Sequence, residues 1–404
     1  MRILWQSNSR FSPSGYGNQT NLFVPALKRA GHEPAIFAFY GQQGNPSVDA
    51  DGITTLPPAV DTWGNDVVGS HMDYLKSDLV ITLIDPFVLD PNVYGALPWC
   101  AWAPIDSTPI LPGNIAALKA ARWIWAMSRF GERELKAAGF QNVTYVPHGV
   151  DTEVFKPIDR ATARKRLARF LEVELEGKFL VAYNAANTGV PPRKGWYECL
   201  AAFKLFSDDH PDAALYCHTE RDGRRGVHLP TIMAQVGLDP SKVIFAPQYN
   251  YLCGMLPAAY LNDVYNAADV YFHPSHGEGF GIPLIEAQAA GCPVITCNSS
   301  AMTELSSTFS PTRTTPFMDV PGRTWRIPNI TSLEARLSFA YKHYLNGEFD
   351  EYRLTSREFA LGYDRDTVLQ NYMLPALEAI DKELNFARAR QQPITIPARR
   401  EVAL

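Results

Sequence analysis

Short apolar runs alternate along most of this chain with longer stretches of helical periodicity. Runs at residues 3–5, 35–39, 79–83, 99–103 and 123–127 are nearly continuous in apolar side chains, the pattern of strands covered on both faces. Between them, residues 22–29 and 131–138 carry helical spacing, and each stretch stops before a glycine, Gly31 or Gly139. A glycine just past a helix is the ordinary stop signal. The pattern breaks over 146–167, "VPHGVDTEVFKPIDRATARKRL", read as a connector in which Asp159 caps a helix starting near Ala161. It then restarts. Strands are predicted at 179–183, 214–218, 243–246, 270–273 and 294–297, and helices at about 195–206, 229–236, 261–267 and 283–290. Residues 308–328, rich in Pro and Thr, read as a loop. Helical patterns follow over 331–345 and 366–388, the second interrupted near Pro375.

Strands that alternate with helices predict an α/β fold of parallel sheets with helices on both faces. Two such series predict two Rossmann-like doubly wound domains facing a cleft: 1–155 and 156–358. Helices at 359–390 and a mobile tail at 391–404 complete the expected organisation. Folds of this kind bind ligands at the C-terminal ends of their strands.

Composition narrows the partners. The 404 residues are 46% hydrophobic and 20% charged, with a net charge of −5. A chain of that balance is no general trap for nucleic acid or acidic membranes. Arg221, Arg224, Arg225, Arg313, Arg323 and Arg326 are candidates for a local basic rim. The six cysteines form no C-x-x-C pair and no Cys/His set of zinc spacing, which fits reduced thiols and a cytoplasmic setting. The N-terminal "MRILWQSNSR" reads as a first strand, too short and polar for a signal peptide. No apolar run reaches the roughly 18 residues that would span a membrane.

The chemistry concentrates in "HGEGFGIPLIEAQAAGCPVI", residues 276–295. A strand precedes it, and Pro283 suits a helix start. Gly279, Phe280 and Gly281 therefore lie just before a helix N-terminus, where free N–H groups and the dipole attract phosphate. Missing side chains would let a ligand approach the backbone. Glu286, placed on the first helical turn, is suited to accept from ribose hydroxyls. Glu278 can reach a sugar hydroxyl or a developing positive charge. The plainer alternative makes Glu278 a cap and Glu286 a solvated acid. Two acids flanking a phosphate site suit a ligand with sugars on both sides of its phosphates, which describes a nucleotide sugar.

A second constellation is "NAANTGVPPRKGWYECL", residues 184–200. Arg193 and Lys194 stand before Gly195 and a helix, placed to neutralise a leaving diphosphate; the alternative is a solvated basic pair. In "SPSGYGNQT", residues 12–20, Gly15 and Gly17 resemble a dinucleotide fingerprint, but Thr20 occupies the third glycine position. An NAD oxidoreductase is thus weakly supported, and a turn that needs glycine backbone angles is the alternative. Asp49–Asp51 and Asp364–Asp366 are D-x-D pairs that read as solvated. With Arg193, Lys194 and a helix N-terminus at hand, neither a metal nor another cofactor is expected.

On these motifs the chain resembles the family-4 retaining glycosyltransferases, whose signature is E-x7-E with a glycine-rich turn. "EGFGIPLIEAQAAGCPVI" and the "RKG" element carry the likeness, over roughly residues 1–300. The resemblance implies the two-domain GT-B fold, with 1–155 on the acceptor side, 156–358 binding the nucleotide sugar, and a last helix crossing back to the first domain. It implies transfer of a sugar from a nucleoside diphosphate sugar to an acceptor hydroxyl, without metal and with retention. Carried over, Glu278 lies near the donor sugar, Glu286 binds the ribose, and the loop with Gly15 and Gly17 faces the donor phosphates or the acceptor. Many members place a histidine in the region of "WAPIDSTP", residues 102–109; here stands Asp106, which either orients a sugar or acceptor hydroxyl or caps the next helix. "AMSRFGERELKAAGF" resembles an element in which a serine begins a helix, with Arg129 facing the cleft or the surface. "VPHGVD" resembles the connector, with His148 read as structural. "SGYGNQT", "NPSVDADGI" and "GNDVV" resemble a subgroup met in archaea and bacteriophages. The acceptor stays open between saccharide, lipid, protein and a hydroxylated DNA base. A nucleotide-sugar epimerase of the same fold and a non-catalytic nucleotide-sugar binder are the rival functions.

Overall fold

The structure, a computed structural model, describes residues 1–189, 192–319 and 322–391; most of the expected tail lies outside them. The first unit runs β1 (Arg2–Asn8), α1 (Gly15–Arg29), β2 (Glu33–Tyr40), β3 (Ser47–Val48), β4 (Thr54–Leu56), α2 (Val68–Leu75), β5 (Leu79–Thr82), α3 (Pro91–Tyr94), β6 (Trp99–Ala103), α4 (Pro112–Leu118), β7 (Trp123–Ala126), α5 (Arg129–Ala137) and β8 (Val143–Tyr145). Its sheet has the order β3-β4-β2-β1-β5-β6-β7-β8, parallel except for the short β3–β4 pair. The second unit runs α6 (Arg160–Leu171), β9 (Phe179–Asn184), α7 (Trp196–Asp209), β10 (Ala213–His218), α8 (Leu229–Val236), β11 (Val243–Phe245), α9 (Gln248–Leu252), α10 (Ala258–Ala267), β12 (Val270–His273), α11 (Ile282–Ala289) and β13 (Val294–Thr296). Its parallel sheet has the order β11-β10-β9-β12-β13. Strands such as β5, β6, β7, β10 and β12 are buried along their whole length, as continuous apolar runs demand of a parallel sheet.

Caps explain where the helices begin. The Ser14 hydroxyl accepts from Gly17 N at 3.0 Å, so α1 starts seven residues before the periodicity suggested. Its opening turn, Gly-Tyr-Gly-Asn, offers too few apolar positions to register as helix. Asp159 caps α6 as expected, accepting from Thr162 N at 2.8 Å. Arg164 then ties α6 to the buried Asp269 at 2.6 Å, which assigns the connector helix to the second unit.

Residues 308–328 are not a plain loop. They hold an antiparallel hairpin, β14 (Thr314–Met318) paired with β15 (Thr324–Pro328). Its Pro and Thr content hid it, because a two-stranded ribbon is stabilised by docking rather than by its own pattern. After it come α12 (Ile330–Leu345), α13 (Phe349–Leu361), α14 (Arg365–Val368) and α15 (Leu374–Gln391). A π turn over Leu369–Met373 joins the last two. Pro375 has no N–H for the carbonyl four residues back, and a widened turn absorbs that loss.

The chain returns to the first unit at Tyr363–Arg365. Val150 N donates to Tyr363 O at 2.9 Å and Arg365 N to Val150 O at 2.8 Å. Further on, Trp123 Nε1 donates to Glu383 at 3.1 Å, and the Tyr145 and Tyr372 rings meet edge to face. The last helix therefore crosses back to the first sheet.

Candidate functional site

Strand order places the site. In the second sheet β9 lies between β10 and β12, so the chain leaves β9 in one direction and reaches β12 on the other side. The crevice outside the ends of β9 and β12 is the switch point where doubly wound folds hold ligands. Arg193 and Lys194 follow β9, and Glu278 follows β12. Lys194 Nζ stands 2.6 and 2.8 Å from the two Glu278 carboxylate oxygens, and Arg193 Nη1 stands 3.3 Å from one of them. Arg193 also donates to Gly277 O, and the Tyr183 hydroxyl to Lys194 O. The basic pair is therefore built into the crevice and is not a solvated loop feature.

Glu278 is only 6% exposed. Burial alone would raise its pKa, but Lys194 and Arg193 outweigh burial and hold the carboxyl well below the usual range. His273 Nε2 lies 3.2 Å from Glu278, and its other nitrogen lies 3.0 Å from the Tyr271 hydroxyl. Burial lowers the His273 pKa against the pull of Glu278, which favours a neutral ring. Sequence reasoning passed over His273. The signal was its place at the end of β12, on the same face as Tyr271 two residues earlier.

The first unit brings three groups to the same space. Asp106, after β6, lies 3.9 Å from Arg193 Nη1. It caps no helix, since α4 begins at Pro112 behind Leu111. Asp85, after β5, was missed. Burial, then the Asp106 charge, pushes its pKa up to about 6 against the pull of Arg193 and Arg323. Burial also raises Asp106, opposed by Arg193 and Arg323. Tyr16, at the start of α1, feels the charges of Asp85, Asp106, Arg193 and Glu278. Because β1 sits between β2 and β5, the first sheet has its own switch point here. A strand-end acid beside a switch point was the signal available for Asp85.

The glycine-rich turn divides its duties. Gly281 has φ 109° and forms the N-cap of α11, a backbone region that disfavours side chains. A Cβ on Gly279 would stand 3.0 Å from Pro104 Cβ, and one on Gly277 would stand 2.5 Å from Asp106 O. Those missing side chains admit the backbone of the first unit. Gly15 faces the α11 start, 3.5 Å from Ile282 Cδ1 by the same measure, so two helix N-termini converge. Gly17 instead has no room, since its Cβ would meet Ser12 O at 2.3 Å. Neither Gly15 nor Gly17 has positive φ, so backbone angle demands glycine at neither; close approach demands it at Gly17, while a Cβ on Gly15 would meet only an ordinary contact. Phe280 is buried, its ring edge-to-face with His148 and Tyr363.

Glu286 departs from expectation. It lies in the second turn of α11, not the first, and is 5% exposed. Among the described residues its side-chain partner is the Tyr265 hydroxyl at 3.1 Å. Burial pushes its pKa up to about 7, with the tyrosine bond pulling the other way. An α11 packed over β12 and β13 leaves no solvated face at that position.

Arg129 does not reach into the cluster. It covers the Tyr145 ring at 3.6 Å and pairs with Glu132 at 2.7 Å. His148 is buried against Trp102, with centroids 4.5 Å apart, and burial lowers its pKa to about 3. The neutral ring fits the structural role read for it. Asp51 and Asp366 are solvent-exposed as expected, whereas Asp49 is largely covered: Arg10 bridges Asp49 and Asp51 at 2.7 and 2.8 Å, and Asp364 accepts from Thr152 while capping α14. Among the described residues no group of three His, Cys, Asp or Glu is placed to hold a metal ion. Of the arginines considered for a basic rim, Arg221 pairs with Asp222 and Arg323 with Asp319.

The hairpin roofs the cluster. Trp325 is 6% exposed, with Arg193 5.7 Å and Arg323 4.6 Å from its ring centroid. Arg326 N donates to His276 O at 3.2 Å, and Thr324 bridges to Thr108 of the first unit. No helix among the described residues is long and apolar enough to cross a membrane.

Known proteins resemble this chain in two ways. Residues 251–309, which contain Glu278 and Glu286, match the family described as glycosyl transferases group 1. The D-inositol 3-phosphate glycosyltransferase of Segniliparus rotundus is 34% identical over 162 residues, 39% of this chain and 32% of that protein. The mannosylfructose-phosphate synthase of Agrobacterium fabrum is 27% identical over 161 residues, 38% of this chain and 32% of that protein. The chain thus spans about a third of the length of these curated relatives. Sucrose-phosphate synthase from Thermosynechococcus elongatus superposes with a TM-score of 0.73 at 16% identity, over 96% of this chain and 100% of that one. Anabaena HepE, in complex with UDP and glucose, gives 0.69 at 14% identity, over 94% and 100%. The chain has the two-unit GT-B fold of these solved structures, and its residues 251–309 match the glycosyl transferases group 1 family.

Proposed function

We propose that this protein is a retaining glycosyltransferase that moves a sugar from a nucleoside diphosphate sugar to an acceptor hydroxyl without a metal ion. The observation that carries the reading is the Glu278–Lys194–Arg193 cluster at the second switch point, facing Asp106 across the crevice. Lys194 and Arg193 offer fixed positive charge where a diphosphate would leave, and fixed charge in a closed crevice is an effective way to stabilise a departing anion. The α11 N-terminus, formed at Gly281, adds the positive end of a helix dipole. Glu278, kept ionised by its two cations, is placed to steady positive charge on the donor sugar. Glu286, which already accepts from Tyr265, accepts from a ribose hydroxyl through the small part of its surface left open. With Glu278 tied up by two cations it is a poor nucleophile, so attack by the acceptor on the face the diphosphate leaves is the route that gives retention.

The acceptor wall favours an uncharged polyhydroxyl compound. Asp85 and Asp106 stand together there, and both prefer a hydroxyl donor to a second anion. A phosphodiester beside them would be repelled, which sets a hydroxylated DNA base behind a saccharide.

The test is a panel of nucleoside diphosphate sugars with mono- and disaccharide acceptors, read by mass spectrometry in EDTA. Free nucleoside diphosphate with a new glycoside of retained configuration is the expected result. Activity restored only by Mn²⁺ refutes the metal-free reading. Interconversion of the donor without an acceptor makes the protein an epimerase, and binding without turnover makes it a carrier.

A further inference from the structure

The loop after β13 ends in a single 3-10 turn, Ser300–Glu304, that touches both units. At its start, the Ser300 hydroxyl accepts from Glu278 N at 2.7 Å, and Ala301 N reaches Glu278 O at 3.4 Å. Ser300 has φ 44°, a left-handed conformation uncommon for serine, so the turn is held in this shape by its contacts. At its other end, Glu304 extends into the first unit. One carboxylate oxygen accepts from Arg129 N at 2.6 Å and the other from Phe130 N at 3.1 Å. These are the first two residues of α5.

A helix start leaves its first N–H groups without partners inside the helix. In α5 the Ser128 hydroxyl serves only Gly131 N, at 3.0 Å. The remaining two are served from the other unit by one bidentate anion facing the positive end of the helix dipole. The contact is not a rim ion pair between long flexible side chains. Both donors are rigid backbone, and the acceptor sits on a short turn anchored to Glu278.

We infer that Glu304 is a positioning residue: a latch that holds the two units closed and, through the turn it ends, sets the backbone carrying Glu278 against Asp106 and Pro104. The close approaches at Gly277 and Gly279 lie on the same side of the crevice, so closure and the placement of Glu278 are one event. The donor contacts proposed above, apart from those of the α1 loop, lie in the second unit, whereas Asp85 and Asp106 belong to the first. Loss of the latch therefore affects the transfer step more than donor binding. Only this kinetic half rests on the glycosyltransferase reading.

The experiment compares wild type with Glu304→Gln and Glu304→Ala by small-angle scattering of the ligand-free protein, then by steady-state transfer. Melting temperatures identify variants that stay folded. Glutamine keeps the volume and one acceptor oxygen, so it provides the readout if alanine does not fold. The expected result is a larger radius of gyration for the variants, in the order Glu, Gln, Ala. With it should come at least a tenfold loss of kcat and less than a threefold change in donor KM. A folded variant with the wild-type scattering curve overturns the latch. A wider envelope with unchanged kcat overturns the positioning role. Wider envelopes in the variants of a wild type that itself transfers no sugar refute the transferase reading and leave the latch intact.

Discussion

Replacing Glu286 by glutamine should make the protein more stable in mildly alkaline buffer and a weaker binder of its donor. The carboxyl is 5% exposed, and the Tyr265 hydroxyl is its side-chain partner. Burial raises its pKa from the ordinary 4.5 to about 7. At about 1.36 kcal/mol for each pH unit, that rise amounts to roughly 3 kcal/mol between the two protonation states. Below pH 4.5 both folded and unfolded chains hold the proton, and burial costs nothing in charge. Between 4.5 and 7 the unfolded chain releases it first, so stability falls as pH rises. Above 7 the full cost is present. Glutamine keeps the shape and still accepts from Tyr265 but carries no charge. Urea unfolding at pH 4.5 and pH 8.5 should therefore give similar wild-type and variant stabilities at the lower pH. At the higher pH the variant should gain about 1–3 kcal/mol, the smaller figure allowing for water that reaches the carboxylate. Donor affinity, measured by calorimetry, should fall by about 1.5 kcal/mol, since the amide keeps one acceptor oxygen, already serving Tyr265, and replaces the other with an NH2 that cannot accept from a hydroxyl. A variant no more stable at pH 8.5 would show that the carboxylate is not desolvated. Undiminished donor affinity would remove Glu286 from the donor site.

Two further substitutions test the cluster. Lys194→Ala should lower kcat by about 10²–10³ with a smaller effect on donor KM; because it also removes the cation that holds Glu278 ionised, the acid limb of the kcat–pH profile should move to higher pH. A near-normal kcat would show that Lys194 only neutralises Glu278. Gly279→Ala would put a Cβ 3.0 Å from Pro104 Cβ and 3.2 Å from its Cα, which should push the units apart and lower kcat while leaving donor affinity within about threefold, roughly 0.6 kcal/mol. A large loss of affinity would mean that the glycine serves the donor phosphates instead.

The parts legible in the chain are those set by neighbours in sequence. Continuous apolar runs mark strands buried on both faces, whatever they pack against. Asp159 caps α6 and glycines follow helix ends because those hydrogen bonds close within a few residues. Glu278, the α11 start and the Arg193–Lys194 pair follow from the same local logic, since each directly succeeds a strand of a doubly wound sheet. The resemblance to family-4 glycosyltransferases rested on those motifs, and the superposed structures share the fold it implied.

What tertiary structure alone decided depends on atoms far apart in the chain. Glu286 was placed on the open first turn of α11 because its neighbours do not announce that Tyr265 and the sheet beneath α11 enclose it. Asp85 became a site residue only when β5 was laid between β1 and β6, near Asp106 and Arg193. The hairpin at 314–328 lays Trp325 over the cluster, a contact that its Pro-interrupted pattern does not announce. The vacancy at Gly279 is measured against Pro104, and the free N–H groups of α5 against Glu304, 174 residues beyond Phe130. Periodicity and capping are short-range and leave their mark on any window of the sequence. Burial, charge coupling and the meeting of two units are properties of distance in space, and no window holds both partners.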